Sequence, residues 1–290
     1  MFPARFRYEA PTSLDEAIAL LAADDDAKVL AGGQSLIPMM KLRFASPAML
    51  VDINNIPGLD GHGPDADGTY RIGALCRHAD LEKSTTLADH QPTIAAAAPL
   101  VADPIVRSRG TFVGSVCHAD PQGDWASCMV ALDGAIVAQG PDGRRSIPVV
   151  DFVAGPFQTV LRPDEIAVEA VVPAPDGTRH GGYLKLERRV GDFATAGVAL
   201  SLEMAAGTVR KAGIGLTGVG AATINATEAA ATLVGSSLDA ETVDRAADLA
   251  AAASSPRSDH RGSADYKRHI VATFVRRLLA QAQPTEQKVA

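Results

Sequence analysis

Val29-Leu30-Ala31-Gly32-Gly33-Gln34-Ser35-Leu36 changes backbone character twice. Val29 to Ala31 reads as a short buried strand, Gly32-Gly33 as a turn, and Ser35 to Lys41 as the opening of a helix. Successive glycines reach backbone angles closed to other residues, so several N–H groups can face one concavity. A helix starting there adds the positive end of its dipole. Ser35 brings a hydroxyl donor and Gln34 an amide. Each hydrogen bond to a charged group is worth roughly 1.5–3 kcal/mol. The segment suits a diphosphate; a tight turn that merely needs glycine is the other reading.

A second stretch, Arg107-Ser108-Arg109-Gly110-Thr111-Phe112-Val113-Gly114-Ser115-Val116-Cys117-His118-Ala119-Asp120-Pro121-Gln122-Gly123-Asp124, has the same ingredients. Small residues and hydroxyls precede a helix, and Asp120 and Asp124 offer carboxylates to ribose hydroxyls. His118 and Asp120 also have the types of a metal pair, but two candidate ligands are weak evidence beside an ordinary loop histidine.

Around these stretches the chain alternates helices and strands. Ser13 and Glu16 form a capping box that opens a helix to about Ala23. Met49 to Ile53, Tyr70 to Leu75, Ala135 to Gln139 and Glu165 to Val172 read as strands, and Ala95 to Ala102 and Trp125 to Leu132 as helices. Pro173 to Gly182 is the best boundary. Beyond it come long strands at Tyr183 to Arg189, Ala194 to Met204 and Val209 to Gly220, then helices near 226–234, 240–253 and 263–282.

Gly213-Ile214-Gly215-Leu216-Thr217-Gly218 matches the dinucleotide pattern G-x-G-x-x-G in the wrong context. It lies within one extended strand, with Gly213 and Gly215 on the same face. Glycine there predicts close approach of another backbone.

Composition removes other classes. The 290 residues carry a formal charge of -7, which argues against nucleic acid as the main partner. No apolar run approaches the roughly 18 residues of a membrane span, and no signal peptide is visible at the start. Cys76, Cys117 and Cys128 fit a reducing cytoplasm and cannot ligate a four-cysteine iron–sulfur cluster. No G-x-S-x-G or H-E-x-x-H occurs.

The order of these motifs resembles one family. Ala31 to Leu36 resembles the first FAD diphosphate motif of the molybdenum hydroxylase flavoproteins, the carbon monoxide dehydrogenase and xanthine dehydrogenase type. Thr111 to Ser115 with His118-Ala119-Asp120-Pro121 and Asp124 resembles the second. Arg71-Ile72-Gly73-Ala74-Leu75-Cys76-Arg77-His78, Tyr183-Leu184-Lys185-Leu186, Arg188 to Val198 and Asp259 to Arg268 resemble further blocks.

The resemblance implies an α+β chain with a two-subdomain FAD-binding domain of the vanillyl-alcohol oxidase type at residues 1–176, divided near 56. A smaller C-terminal α+β domain fills 177–290. It implies FAD held by Leu30, Ala31, Gly32, Gly33, Gln34, Ser35 and Leu36 on one side, and by Thr111, Gly114, Ser115, His118 and Asp120 on the other. Asp124 would meet the ribose or ribityl region, Val101 and Leu161 would line the cofactor, Lys185 would approach the isoalloxazine, and Phe193 would cover the ring. Substrate hydroxylation would sit on a large molybdenum-cofactor subunit, and [2Fe–2S] clusters on a small one, in a dimer of heterotrimers. Quinone or NAD would accept the electrons. The expected location is cytoplasmic, with peripheral attachment to the inner membrane face left open. Departures are Val113 at a usual glycine, Arg109 at a usual small polar residue, and Cys76 at a usual threonine. A self-contained flavin oxidase and a cofactor-less interaction subunit are the competing readings.

Overall fold

The computed structural model describes residues 2–282, which form three sheets that follow one another along the chain, with a small hairpin inserted into the second. The first unit contains β1 (Arg7–Glu9), α1 (Leu14–Ala22), β2 (Ala27–Leu30), α2 (Leu36–Lys41) and β3 (Met49–Asp52). Its strands run parallel in the order β1-β3-β2. Ser13 accepts the Glu16 N–H at 3.2 Å, the expected N-cap bond, while the Glu16 carboxylate takes the N–H of Thr12, one residue before the cap, at 3.0 Å instead of that of Ser13. Ala17, Ile18 and Leu21 of α1 then fall on one face and pack with Met49, Val51 and Ile53.

The second unit contains β4 (His62–Pro64), β5 (Tyr70–Gly73), α3 (His78–Lys83), α4 (Leu87–His90), α5 (Pro92–Ala97), α6 (Pro104–Arg107), α7 (Phe112–His118), α8 (Asp124–Ala131), β6 (Ala135–Gly140), β7 (Gly143–Pro148), α9 (Val149–Phe152), β8 (Val153–Gly155), β9 (Gln158–Thr159) and β10 (Ile166–Val172). Its antiparallel sheet has the order β4-β5-β10-β6-β7, with β8 and β9 as the separate hairpin. Tyr70, Ile72, Phe112, Trp125, Met129 and Phe152 anchor its core.

The third unit contains β11 (Thr178–Leu186), β12 (Ala196–Ala205), β13 (Thr208–Thr217), β14 (Ile224–Asn225), α10 (Thr227–Leu233), α11 (Ala240–Ala253) and α12 (Ala264–Ala282). Its antiparallel sheet separates two cores, because successive side chains leave opposite faces. Val198, Leu200, Leu202, Ile214 and Leu216 join Leu233, Ala246, Val271 and Leu278 of the outer helices. Tyr183 and Ala199 face the other way and belong to the core of the second unit.

Gly213 and Gly215 lie on that inner face. A β-carbon on Gly213 would sit 2.7 Å from the carbonyl carbon of Ala131, and one on Gly215 2.8 Å from that of Ser127. The backbone of α8 therefore rests on β13, and all of α8 is buried. The G-x-G-x-x-G match is a seat for a helix.

β11 starts earlier than its sequence suggests, at Thr178 rather than Tyr183, and ends at Leu186. Tertiary partners overrule local polarity here. Thr178 pairs with Met204, and Arg179 donates to Glu203 at 2.9 Å and Gln91 at 3.0 Å. Arg188 and Arg189 lie past the strand.

Candidate cofactor site

The two glycine-bearing loops meet. A β-carbon on Gly32 would strike the Arg109 carbonyl oxygen and lie 2.8 Å from the Gly110 α-carbon and 3.0 Å from the Thr111 nitrogen. Only glycine permits this approach of two backbones. Gly33 turns the chain with φ +73°, a left-handed value that favours glycine.

The first loop presents donors without partners. Among the described residues, nothing accepts a hydrogen bond from the N–H of Gly32, Gly33, Gln34, Ser35 or Leu36. The Ser35 hydroxyl likewise bonds to nothing, and the Gln34 amide reaches only the Gly32 carbonyl, at 3.4 Å. α2 spans six residues, so the loop's own N–H groups, rather than a helix dipole, carry the attraction for an anion.

The second loop contributes differently from its sequence reading. The Gly114 N–H is taken by Thr111 Oγ1 at 3.2 Å and the Ser115 N–H by the Thr111 carbonyl at 3.0 Å. A β-carbon on Gly114 would clash with the Thr111 hydroxyl, so glycine there serves the cap. The Thr111 and Val113 N–H groups and the Ser115 hydroxyl stay without partners among the described residues. Val113 is buried within α7 and packs into the core, so its branched side chain leaves the loop open. These unclaimed donors, beside a contact that only glycine allows, fit the diphosphate of FAD.

Residues the sequence reading passed over hold the loops. Asn54 Nδ2 donates to the Ala31 carbonyl at 2.9 Å. Arg77 donates to Asn54 Oδ1 and to the Arg109 carbonyl, 2.5 Å each. Burial and the nearby Arg109 charge push the Arg77 guanidinium below its ordinary pKa.

From there a buried path leads to the carboxylate. His78 donates its backbone N–H to the Gly110 carbonyl at 3.0 Å, and its Nδ1 accepts the Trp125 indole N–H at 3.0 Å. Burial, then the Arg107 and Arg77 charges, lower His78 to about 4, so it is neutral near pH 7. Trp125 adjoins Asp124. Tyr183 donates to Asp124 Oδ1 at 2.5 Å, and Lys185 to Oδ2 at 3.1 Å and to the Leu100 carbonyl at 2.9 Å. Burial pushes the Asp124 carboxyl above its ordinary value, against the pull of Lys185. The sequence reading missed Tyr183; the spacing Tyr183-x-Lys185 on a strand, which puts both on one face, is the signal that could have found it.

The other expected residues fall around this frame. Val101 follows Leu100 and is buried, and Leu161 packs on the same core cluster. Phe193 is about half exposed, and Arg261 donates to its carbonyl at 2.7 Å. Its loop reaches the segment after Val101, since a β-carbon on Gly191 would lie 3.1 Å from the Ala102 carbonyl. His118 ends α7 with its ring against Phe157, centroids 5.2 Å apart, while Asp120 accepts the Gln122 N–H at 2.8 Å within its own turn. No group of three metal-ligating residues exists among the described residues.

Residues 4–175 match the model of the FAD binding domain in molybdopterin dehydrogenase. The chain belongs to that family. Residues 182–282 match the CO dehydrogenase flavoprotein C-terminal domain. The chain is 42% identical over 283 residues to the carbon monoxide dehydrogenase medium chain of Hydrogenophaga pseudoflava, covering 97% of this chain and 98% of that one. It is 37% identical to the nicotine 6-hydroxylase medium subunit of Paenarthrobacter nicotinovorans, covering 95% and 96%. The solved Hydrogenophaga pseudoflava carbon monoxide dehydrogenase that lacks the Mo-pyranopterin moiety superposes with a TM-score of 0.91 at 44% identity, covering 97% and 98%. The α+β fold, the FAD-binding character and the molybdenum hydroxylase kinship thus stand. The protein is an oxidoreductase flavoprotein of the carbon monoxide dehydrogenase-like, medium-chain type. No helix among the described residues is long and apolar enough to cross a membrane.

Proposed function

We propose that this chain is the electron-transfer subunit of a molybdenum hydroxylase complex. It takes electrons from [2Fe–2S] clusters on a small subunit and passes them to an external quinone or NAD. A large subunit carries the molybdenum cofactor and oxidises the substrate, and the assembly is a dimer of heterotrimers in the cytoplasm. The single supporting observation is Gly32 lodged against Arg109–Thr111, which brings two donor-bearing loops together at backbone contact. Bound FAD supplies the redox chemistry; the protein supplies binding, orientation and electrostatic environment.

In this reading residues 1–176 are the FAD-binding domain and 177–290 the C-terminal domain. Residues 30–36 hold the diphosphate from one side, and the Thr111, Gly114 and Ser115 loop, extending to His118 and Asp120, holds it from the other. Asp124 meets the ribose or ribityl hydroxyls. Val101 and Leu161 line the ring pocket, Lys185 approaches the isoalloxazine, and Phe193 covers it. With its ammonium bonded to Asp124 and Leu100, Lys185 is fixed in place.

The test is native co-purification of the parent and of Gly33→Val, with flavin, iron and molybdenum measured. The parent should bring two partner chains and all three constituents. Gly33→Val should lose flavin absorbance and keep partner metals, because valine opposes the φ of +73°. Full flavin retention overturns the loop assignment, and alcohol oxidation by the isolated chain overturns the electron-transfer role.

A further inference from the structure

We infer that Arg77, acting through Asn54, is the positioning residue that sets the two cofactor loops in register and turns the Ala31–Gly32 peptide toward the diphosphate. The inference rests on the FAD reading above and extends it to residues that do not touch the cofactor. Five segments are joined. Tyr8 donates to Asp52 Oδ2 at 2.6 Å, Asp52 Oδ1 accepts from Asn54, Asn54 donates to the Ala31 carbonyl, and Arg77 donates to both Asn54 and the Arg109 carbonyl. Ala31 and Asn54 flank the parallel sheet of the first unit, while Arg77 and Arg109 belong to the second.

The geometry of a peptide gives this bridge its consequence. The Ala31 carbonyl and the Gly32 N–H share one planar unit and point in opposite directions. Asn54 draws the carbonyl to one side, so the unpartnered Gly32 N–H faces the other. Arg77 adds a third hold on the Asn54 side chain, donating to its Oδ1 while Nδ2 bonds to Ala31 and Asp52. The same guanidinium holds the Arg109 carbonyl, the group nearest Gly32 on the opposing loop. One planar fork thus sets both the orientation of a donor and the distance between the loops. A lysine ammonium lacks the two separate nitrogens by which the Arg77 fork reaches the Arg109 carbonyl and Asn54.

The experiment titrates FAD and ADP into the full-length apo chain. ADP carries the diphosphate without the flavin. Arg77→Met and Asn54→Ala should each weaken both ligands at least about tenfold, and Arg77→Lys should recover little of that loss. The double variant Arg77→Met/Asn54→Ala should bind no worse than the weaker single, because the links act in series. Urea unfolding of each apo variant supplies the control. Unchanged affinity for both ligands, losses that multiply in full, or a lowered unfolding midpoint with ligand binding intact overturns the proposal. A parent chain that bound neither ligand would overturn the FAD reading itself, and this role with it.

Discussion

Lys185 of β11 donates to Asp124 of α8 across 3.1 Å, and neither side chain reaches solvent appreciably. The pair joins the third unit to the second. Breaking a buried ion pair by removing one partner typically costs about 3–5 kcal/mol, because the other charge remains buried. Lys185→Met should therefore lower the urea unfolding midpoint strongly, and adding Asp124→Asn should restore part of it. Equal midpoints for the single and the double variant would show that the charges do not matter.

His78 makes the chain acid-sensitive. Burial first of all holds its folded pKa at about 4, below the ordinary 6.5. Between those values the unfolded chain binds the proton and the folded chain does not. Stability from this group is thus fully present above pH 6.5 and falls as pH drops toward 4, by at most roughly 3 kcal/mol. His78→Gln keeps an acceptor for Trp125 and removes the titration. Unfolding measured above and below the window should show a smaller pH dependence in the variant than in the parent.

Val113 bears on how the second loop tolerates a missing glycine. Val113→Gly would vacate a buried place and put glycine inside a helix. A loss of about 2–4 kcal/mol is expected, with no gain in FAD affinity. Tighter FAD binding by the variant would contradict the packing described above.

Gly215→Val should act on the site from a distance. Its side chain would enter the backbone of α8 at Ser127, one turn from Asp124. Overpacking of this kind costs about 1–3 kcal/mol or more. Thermal unfolding should fall, and FAD retention with it. A variant of parental stability would mean that β13 and α8 can separate freely.

Arg261→Ala should loosen the segment that carries Phe193. Arg261 bonds to the Phe193 carbonyl and to Asp192, at 2.7 and 3.2 Å. The Arg261 side chain is only 11% exposed and holds two hydrogen bonds, so global stability should fall by about 1–3 kcal/mol. The emission of bound flavin should change in step with Phe193→Ala if that ring covers the cofactor, and unchanged spectra in both variants would remove Phe193 from the site.

Some of this was legible in the residues. Gly32-Gly33 announced a turn between strand and helix, Ser13 and Glu16 announced a cap, and the alternation along 209–218 exposed the false dinucleotide match. What stayed hidden depends on distant partners. The strand character of Thr178 to Gly182 comes from pairing with β12 and from Glu203 and Gln91. Arg77 and Asn54 stayed unread, since their meaning lies in carbonyls brought near by the fold. The spare donors of the second loop could not be sorted before the Thr111 cap was seen to consume two of them.

Because α8 carries Asp124 at one end and lies in the trough made by Gly213 and Gly215, the two halves of the chain are not interchangeable parts. A chimera joining the amino-terminal half of this chain to the tail of a relative would fold only if the donor tail also offers bare backbone at those two places. Grafting experiments should therefore move α8 and β13 together, as one inherited module.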